Sequence, residues 1–177
     1  MHYDKLKDTN IDATTDHWVG DPCYVVPDEC WDALCNNWIA YDNKHQDDED
    51  HKHHYVAQVA DEFTGICFCL WSTAYGDGTY PLFVNDNKVA DLGVDAGTLS
   101  VIPMTLIEHW NRTGEIGNYQ DMGTVVKAEH LRGELCCEQG DFSWGGVSLP
   151  TRHNEDEDDE EEEDEWSGEQ DEYNRCE

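Results

Sequence analysis

Residues 155–165 read EDEDDEEEEDE, eleven consecutive carboxylates with no apolar side chain among them. Eleven like charges cannot be packed together without large self-repulsion, and the run offers nothing to bury in a core. Glu155, Asp156, Glu157, Asp158, Asp159, Glu160, Glu161, Glu162, Glu163, Asp164 and Glu165 are therefore expected to form a solvated, extended, disordered acidic tail. The run is the extreme of a general bias. The 177-residue chain carries 41 acids and 10 bases, a formal charge of −31. Residues 154–177 hold 15 of the acids and one arginine, which leaves 26 acids and nine bases on residues 1–153. The part that can fold is strongly acidic in its own right.

This length suits one domain and a tail, with expected bounds of 1–16 for a leader, 17–150 for the domain and 151–177 for the tail. Seven Trp, eight Tyr and four Phe give the domain enough apolar mass for a core. No stretch approaches the roughly 18 apolar residues of a membrane span, and residues 1–16 lack the apolar run of a secretory signal. The expected location is the cytoplasm. A surface this negative repels nucleic acid and anionic membranes, so neither is an expected direct partner. Of the eight cysteines, Cys67 and Cys69 share one face of a strand, and Cys136 and Cys137 are adjacent, a spacing that rarely closes a disulfide. Reduced, partly buried thiols are the simpler expectation.

Along the chain, His17–Val26 reads as a strand, a Gly-Asp-Pro turn and a second short strand. Pro27, with Asp28 and Glu29 behind it, opens a helix expected to reach Tyr41. Trp31, Leu34, Cys35, Trp38 and Ile39 recur at helical spacing and form its apolar face. Residues 55–60, 63–72, 81–84, 88–94 and 98–102 read as strands, and Gly123–His130, Glu134–Glu138 and Asp141–Leu149 as closing strands. In 63–72 both faces are apolar, which predicts a central strand covered on each side. Met104–Trp110 reads as a single helical turn. The expected fold class is α+β: a curved antiparallel sheet or partly open barrel with one amphipathic helix packed on it.

Several site types were weighed. Asp21, Asp77 and Asp95 each stand beside a glycine or proline at a strand end. They read first as turn residues accepting backbone N–H bonds, and alternatively as the lining of a ligand pocket. The loop 42–54 places His45, His51, His53 and His54 among Asp47, Asp48, Glu49 and Asp50. It lacks the fixed spacing of a zinc site, so no native metal is expected. There is no G-x-S-x-G, P-loop, G-x-G-x-x-G or H-E-x-x-H motif, and no cofactor is expected. A metal-assisted Asp/His hydrolase stays open, but the expectation is a protein without catalytic residues.

Three segments, VGDPCYVV (19–26), YGDGTY (75–80) and VDAGTLSVIP (94–103), together resemble a family of small uncharacterised bacteriophage proteins. The resemblance covers about residues 18–103. It implies a phage origin and a bacterial cytoplasm, and it brings no catalytic residues and no acidic tail.

The charge then carries the functional expectation. A body of about 150 residues is about 38 Å across. A DNA duplex of that length bears roughly 22 phosphate charges, close to the 17 net negative charges of residues 1–153. Carboxylates gathered on one face present a basic protein with a field like that of its own ligand. The expected function is a non-enzymatic nucleic-acid mimic. It would inhibit a basic DNA- or RNA-binding protein of the host, such as a restriction or other defence nuclease, with Asp47, Asp48, Glu49, Asp50 and the tail run in the contact. The alternatives are a binding module for a nucleotide signal, lined by Asp21, Asp77 and Asp95, and a virion or assembly component. The oligomeric state is left open.

Overall fold

The computed structural model describes residues 11–44, 47, 55–114 and 119–152. Within them the chain is α+β, as expected, with all strand pairings antiparallel. Ten strands divide into two five-stranded sheets that do not close into a barrel. The central sheet has the order β2-β3-β6-β1-β7, from Val56–Ala60, Cys67–Ser72, Thr98–Pro103, His17–Gly20 and Gly123–Val126. The outer sheet has the order β5-β4-β10-β9-β8, from Asn87–Val94, Gly78–Val84, Val147–Leu149, Asp141–Trp144 and Leu135–Glu138. Two helices, α1 (Asp28–Lys44) and α2 (Met104–Thr113), complete the fold.

The central sheet is the middle layer. Successive side chains on a strand point to opposite faces, and both faces here are apolar. Val19, Cys69, Trp71, Leu99 and Val101 pack toward the outer sheet, against Tyr80, Leu82, Phe142, Trp144 and Val147. Trp18, Phe68, Leu70 and Ile102 point the other way, to Leu34 of α1 and to Leu106, Ile107 and Trp110 of α2. The predicted two-sided burial is thus realised in β3, Cys67–Ser72, but not over 63–66, which lie outside the strand with Phe63 79% exposed. The ring of Trp71 stacks on Phe142 at 4.3 Å across the sandwich.

The hairpins follow from their turn residues. Asn85 and Asp86 join β4 to β5 with φ of 49° and 62°, and Gln139 and Gly140 join β8 to β9 with φ of 50° and 88°. Two consecutive left-handed residues match the twist of the flanking strands.

Several expectations are corrected. Val25 and Val26 belong to no strand. Asp21 caps a 3-10 turn, Pro22–Tyr24, by accepting from the Cys23 N–H at 2.9 Å, and the backbone coils there instead of extending. The strands build two sheets, not one. The single turn at Met104 is a ten-residue helix, begun after Pro103 and ended by Gly114 at φ 76°. The apolar face of α1 is narrower than its spacing predicts: Leu34 is buried, Trp31, Cys35 and Trp38 are half-buried, and Ile39 is 58% exposed. The fold also reaches past the expected domain bounds. Ile11 lies in the sandwich core, and Thr151 is buried with its hydroxyl accepting from the Ala74 N–H at 2.9 Å. No helix among the described residues is long and apolar enough to cross a membrane.

Candidate functional site

The three segments singled out in the sequence meet at one end of the central sheet: Asp21 joins 19–26 to 94–103, and Thr73 ties the loop of 75–80 to Gly97. Asp21 follows β1 and is fully buried. One carboxylate oxygen takes the Cys23 N–H, and the other accepts from the N–H groups of Asp95 at 2.7 Å and Ala96 at 2.9 Å. A buried carboxylate is tolerated only when so satisfied. It clamps the 3-10 turn to the β5–β6 turn and lines none of the grooves described below. The turn reading holds for Asp21, and the pocket reading does not.

Asp95 and Asp77 are exposed. The Tyr24 hydroxyl donates to the Asp95 carboxylate, and that bond holds the phenol well above its usual range, since the phenolate would lose it. Burial raises the Cys23 thiol, reinforced by its bond to Asp21 and by the charges of Asp21, Asp95 and Asp77. All three carboxylates thus stand within electrostatic reach of one sulfur. A thiol kept protonated in this way is a poor nucleophile.

Beside this clamp runs a groove of about 430 Å³ lined by Trp38, Ser72, Thr73, Ala74, Tyr75, Gly76, Asp77, Ala96 and Gly97. Its loop, residues 73–77, is tightly held. The Thr73 hydroxyl donates to the Gly76 carbonyl at 2.6 Å and accepts from the Gly76 N–H at 2.9 Å, and the Thr73 N–H donates to the Gly97 carbonyl at 3.0 Å. The Tyr80 hydroxyl also donates to Gly76, at 2.9 Å. Gly97 has φ 61°, a left-handed conformation that favours glycine, and the Gly76 backbone and the Trp38 ring lie in ordinary contact range of it. In the walls of the groove the Trp38 Nε1–H and the Ser72 hydroxyl are buried without a hydrogen-bond partner. Each such group costs about 1–3 kcal/mol when left unmade.

Two smaller grooves lie elsewhere on the surface. Tyr24, Asp91, Gly93, Asp121 and Met122 line one of about 320 Å³. The other, about 300 Å³, lies at the start of α1 between Asp28, Glu29, Cys30, Asp61, the largely exposed Phe63 and Trp110. Asp61 there is structural. Burial opposes its charge, but bonds from the Thr64 hydroxyl and N–H and from the Trp110 indole outweigh that and lower its carboxyl.

Exposed carboxylates thus surround Tyr24: Asp95 on its hydroxyl, Asp91 and Asp121 in its groove, and Asp77 across Cys23. Asp91 is paired with Lys88 at 2.8 Å. Of the remaining predicted contact residues, Asp47 lies exposed in a turn after α1. Asp48, Glu49 and Asp50, the four loop histidines and the run Glu155–Glu165 lie outside the described residues. Among the described residues no three His, Cys, Asp or Glu side chains are grouped to hold a metal ion.

Sequence reasoning passed over His17, which is fully buried. Its Nδ1–H donates to the Thr15 carbonyl at 2.9 Å, its Nε2 has no partner, and its ring meets Trp144 edge-on at 5.0 Å. Burial lowers its pKa to about 4. The apolar alternation His17, Val19 on a sandwich strand was the available signal. Neither a protein-family model, nor a curated protein, nor a solved structure matches this chain.

Proposed function

We propose that the chain is a non-enzymatic acidic binding protein that presents carboxylates in place of phosphates. It engages the basic groove of a bacterial DNA- or RNA-binding protein and inhibits it. The observation that supports this reading is the set of exposed carboxylates around Tyr24. Asp77, Asp91, Asp95 and Asp121 stand near one aromatic side chain, and the buried Asp21 clamp fixes the turn that carries Asp95. Carboxylates on a rigid frame can match a phosphate spacing, and the half-buried Tyr24 among them adds a polar hydroxyl on an apolar ring. The tail supplies 11 further consecutive charges, which raise the encounter rate with a basic partner.

The resemblance of residues 18–103 to phage proteins supports a bacterial host protein as the partner, a restriction or other anti-phage defence factor. The test is capture from a bacterial lysate at low salt. A captured basic nucleic-acid-binding protein that is released by raised salt and by duplex DNA supports the reading. Capture of a neutral protein held equally at high salt contradicts it. A chain truncated after His153 is expected to associate more slowly. Unchanged association at low salt removes the tail from the mechanism.

A further inference from the structure

The groove between α1 and the two glycine turns has a chemistry of its own and shares Asp77 with the acidic surface. Ser72 is 2% exposed and Thr98 1% exposed, and neither hydroxyl has a partner. The two residues are directly paired across β3 and β6, so they share a face of the sheet. Ser72 is two residues on from Leu70, so that face is the helix side, where Trp38 of α1 also leaves its indole N–H unpartnered. Ser72 and Trp38 line the groove, together with Tyr75, which is 54% exposed, and the exposed Asp77.

Each of these groups asks for something specific. An indole N–H only donates, so it needs an acceptor. A serine hydroxyl takes either role. An ionised carboxylate only accepts, so it needs an N–H donor. An exposed phenol ring offers a flat stacking face. A planar heterocycle with a ring acceptor beside an exocyclic amine meets all of these at once, and a groove of about 430 Å³ is within the size range of small-molecule sites. Among the described residues no Lys or Arg lines the groove, and Asp77 does. A phosphate is therefore disfavoured, which separates this ligand from a nucleotide.

We propose that this groove binds a phosphate-free nucleobase or nucleoside, with the ring against Tyr75, the exocyclic amine at Asp77 and a ring acceptor toward Trp38 and Ser72. The inference does not depend on nucleic-acid mimicry. The test is calorimetric titration of the full chain with adenosine, cytidine, guanosine and uridine, and with their 5′-monophosphates. An amine-bearing nucleoside binds saturably. Its monophosphate and uridine, which lacks the amine, bind at least about tenfold more weakly, since losing one charge-assisted bond costs about this factor. Asp77→Asn and Tyr75→Ala each weaken binding about tenfold and leave the unfolding temperature within a few degrees, because both side chains are exposed. On titration the Trp38 indole N–H resonance shifts. The proposal is overturned if no nucleoside binds at millimolar concentration, if monophosphates bind as well as nucleosides, or if the Trp38 resonance stays fixed while binding occurs.

Discussion

The central sheet buries both of its faces, but it closes them differently. On the sandwich side 18 buried side chains are joined by five half-buried ones among the described residues. On the helix side 11 are buried and ten are half-buried, several of them large: Tyr24, Trp31, Trp38, Tyr41 and Tyr119. The sandwich core is sealed by sheet on sheet. The helix layer is a covering with grooves at both ends of α1. The contrast separates roles: the sandwich stabilises the fold, and the helix side with its adjoining turns carries the surface available for binding.

The contrast is most easily broken by matched truncations. Trp71→Ala removes a fully buried ring stacked on Phe142 and is expected to cost about 3–5 kcal/mol. Trp38→Ala, half-buried on the helix side, is expected to cost less than about 1.5 kcal/mol. Urea unfolding of the two variants measures both. Equal losses would mean that the helix layer is as well closed as the sandwich.

Asp21→Ala strips the partner from three N–H groups at Cys23, Asp95 and Ala96. A loss of about 3 kcal/mol is expected, with faster amide exchange at Asp95 and Ala96. Slow exchange at those amides in the variant would show that another group holds the turn.

His17 sharpens the sandwich side by pH. Its folded pKa is about 4, against the ordinary 6.5, so below pH 6.5 the unfolded chain takes up a proton that the folded chain refuses. Stability is complete above pH 6.5 and is lost as pH falls toward 4, by about 3 kcal/mol at most. Asp16 and Asp61, whose carboxyls are lowered, lose their contribution only at lower pH, below the usual carboxylate range. His17→Phe should remove the first phase and leave the second. A wild-type unfolding curve flat between pH 6.5 and 4 would place His17 in water.

The smallest effect belongs to the surface. Lys127 bonds the Asp16 carboxylate at 2.7 Å but is exposed, so Lys127→Ala should cost the least stability of these variants, and less still in salt. The Asp16 carboxylate keeps the Ala128 N–H in that variant.

Much of the fold was legible from residue pattern. The two-sided apolar alternation of 63–72 located β3 in the middle layer, and the strands read at 81–84 and 88–94 fall on the two arms of a hairpin. What escaped was set by tertiary contact. Nothing local tells whether ten short strands form one curved sheet or two stacked ones, since each strand shows only its own alternation. α2 was shortened because Thr105, Ile107, His109 and Asn111 are weak helix formers. The signal for it was there, in Leu106, Ile107 and Trp110 at helical spacing between Pro103 and Gly114. At the candidate site, Asp21 beside Pro22 reads as a turn residue accepting backbone N–H bonds, and it is one. That Asp21 reaches 74 residues ahead to the Asp95 N–H, and that this brings Tyr75 and Trp38 to one groove, depends on β1 pairing with β6, a long-range register.

The most direct test of the central reading is competition between this chain and duplex DNA for the captured basic partner, measured across salt. Mutually exclusive binding is expected, with an affinity for the chain that falls at least tenfold between about 50 and 200 mM salt and falls again in Asp91→Asn/Asp95→Asn/Asp121→Asn. Simultaneous binding of DNA and chain, or an affinity indifferent to salt and to those three substitutions, would contradict it.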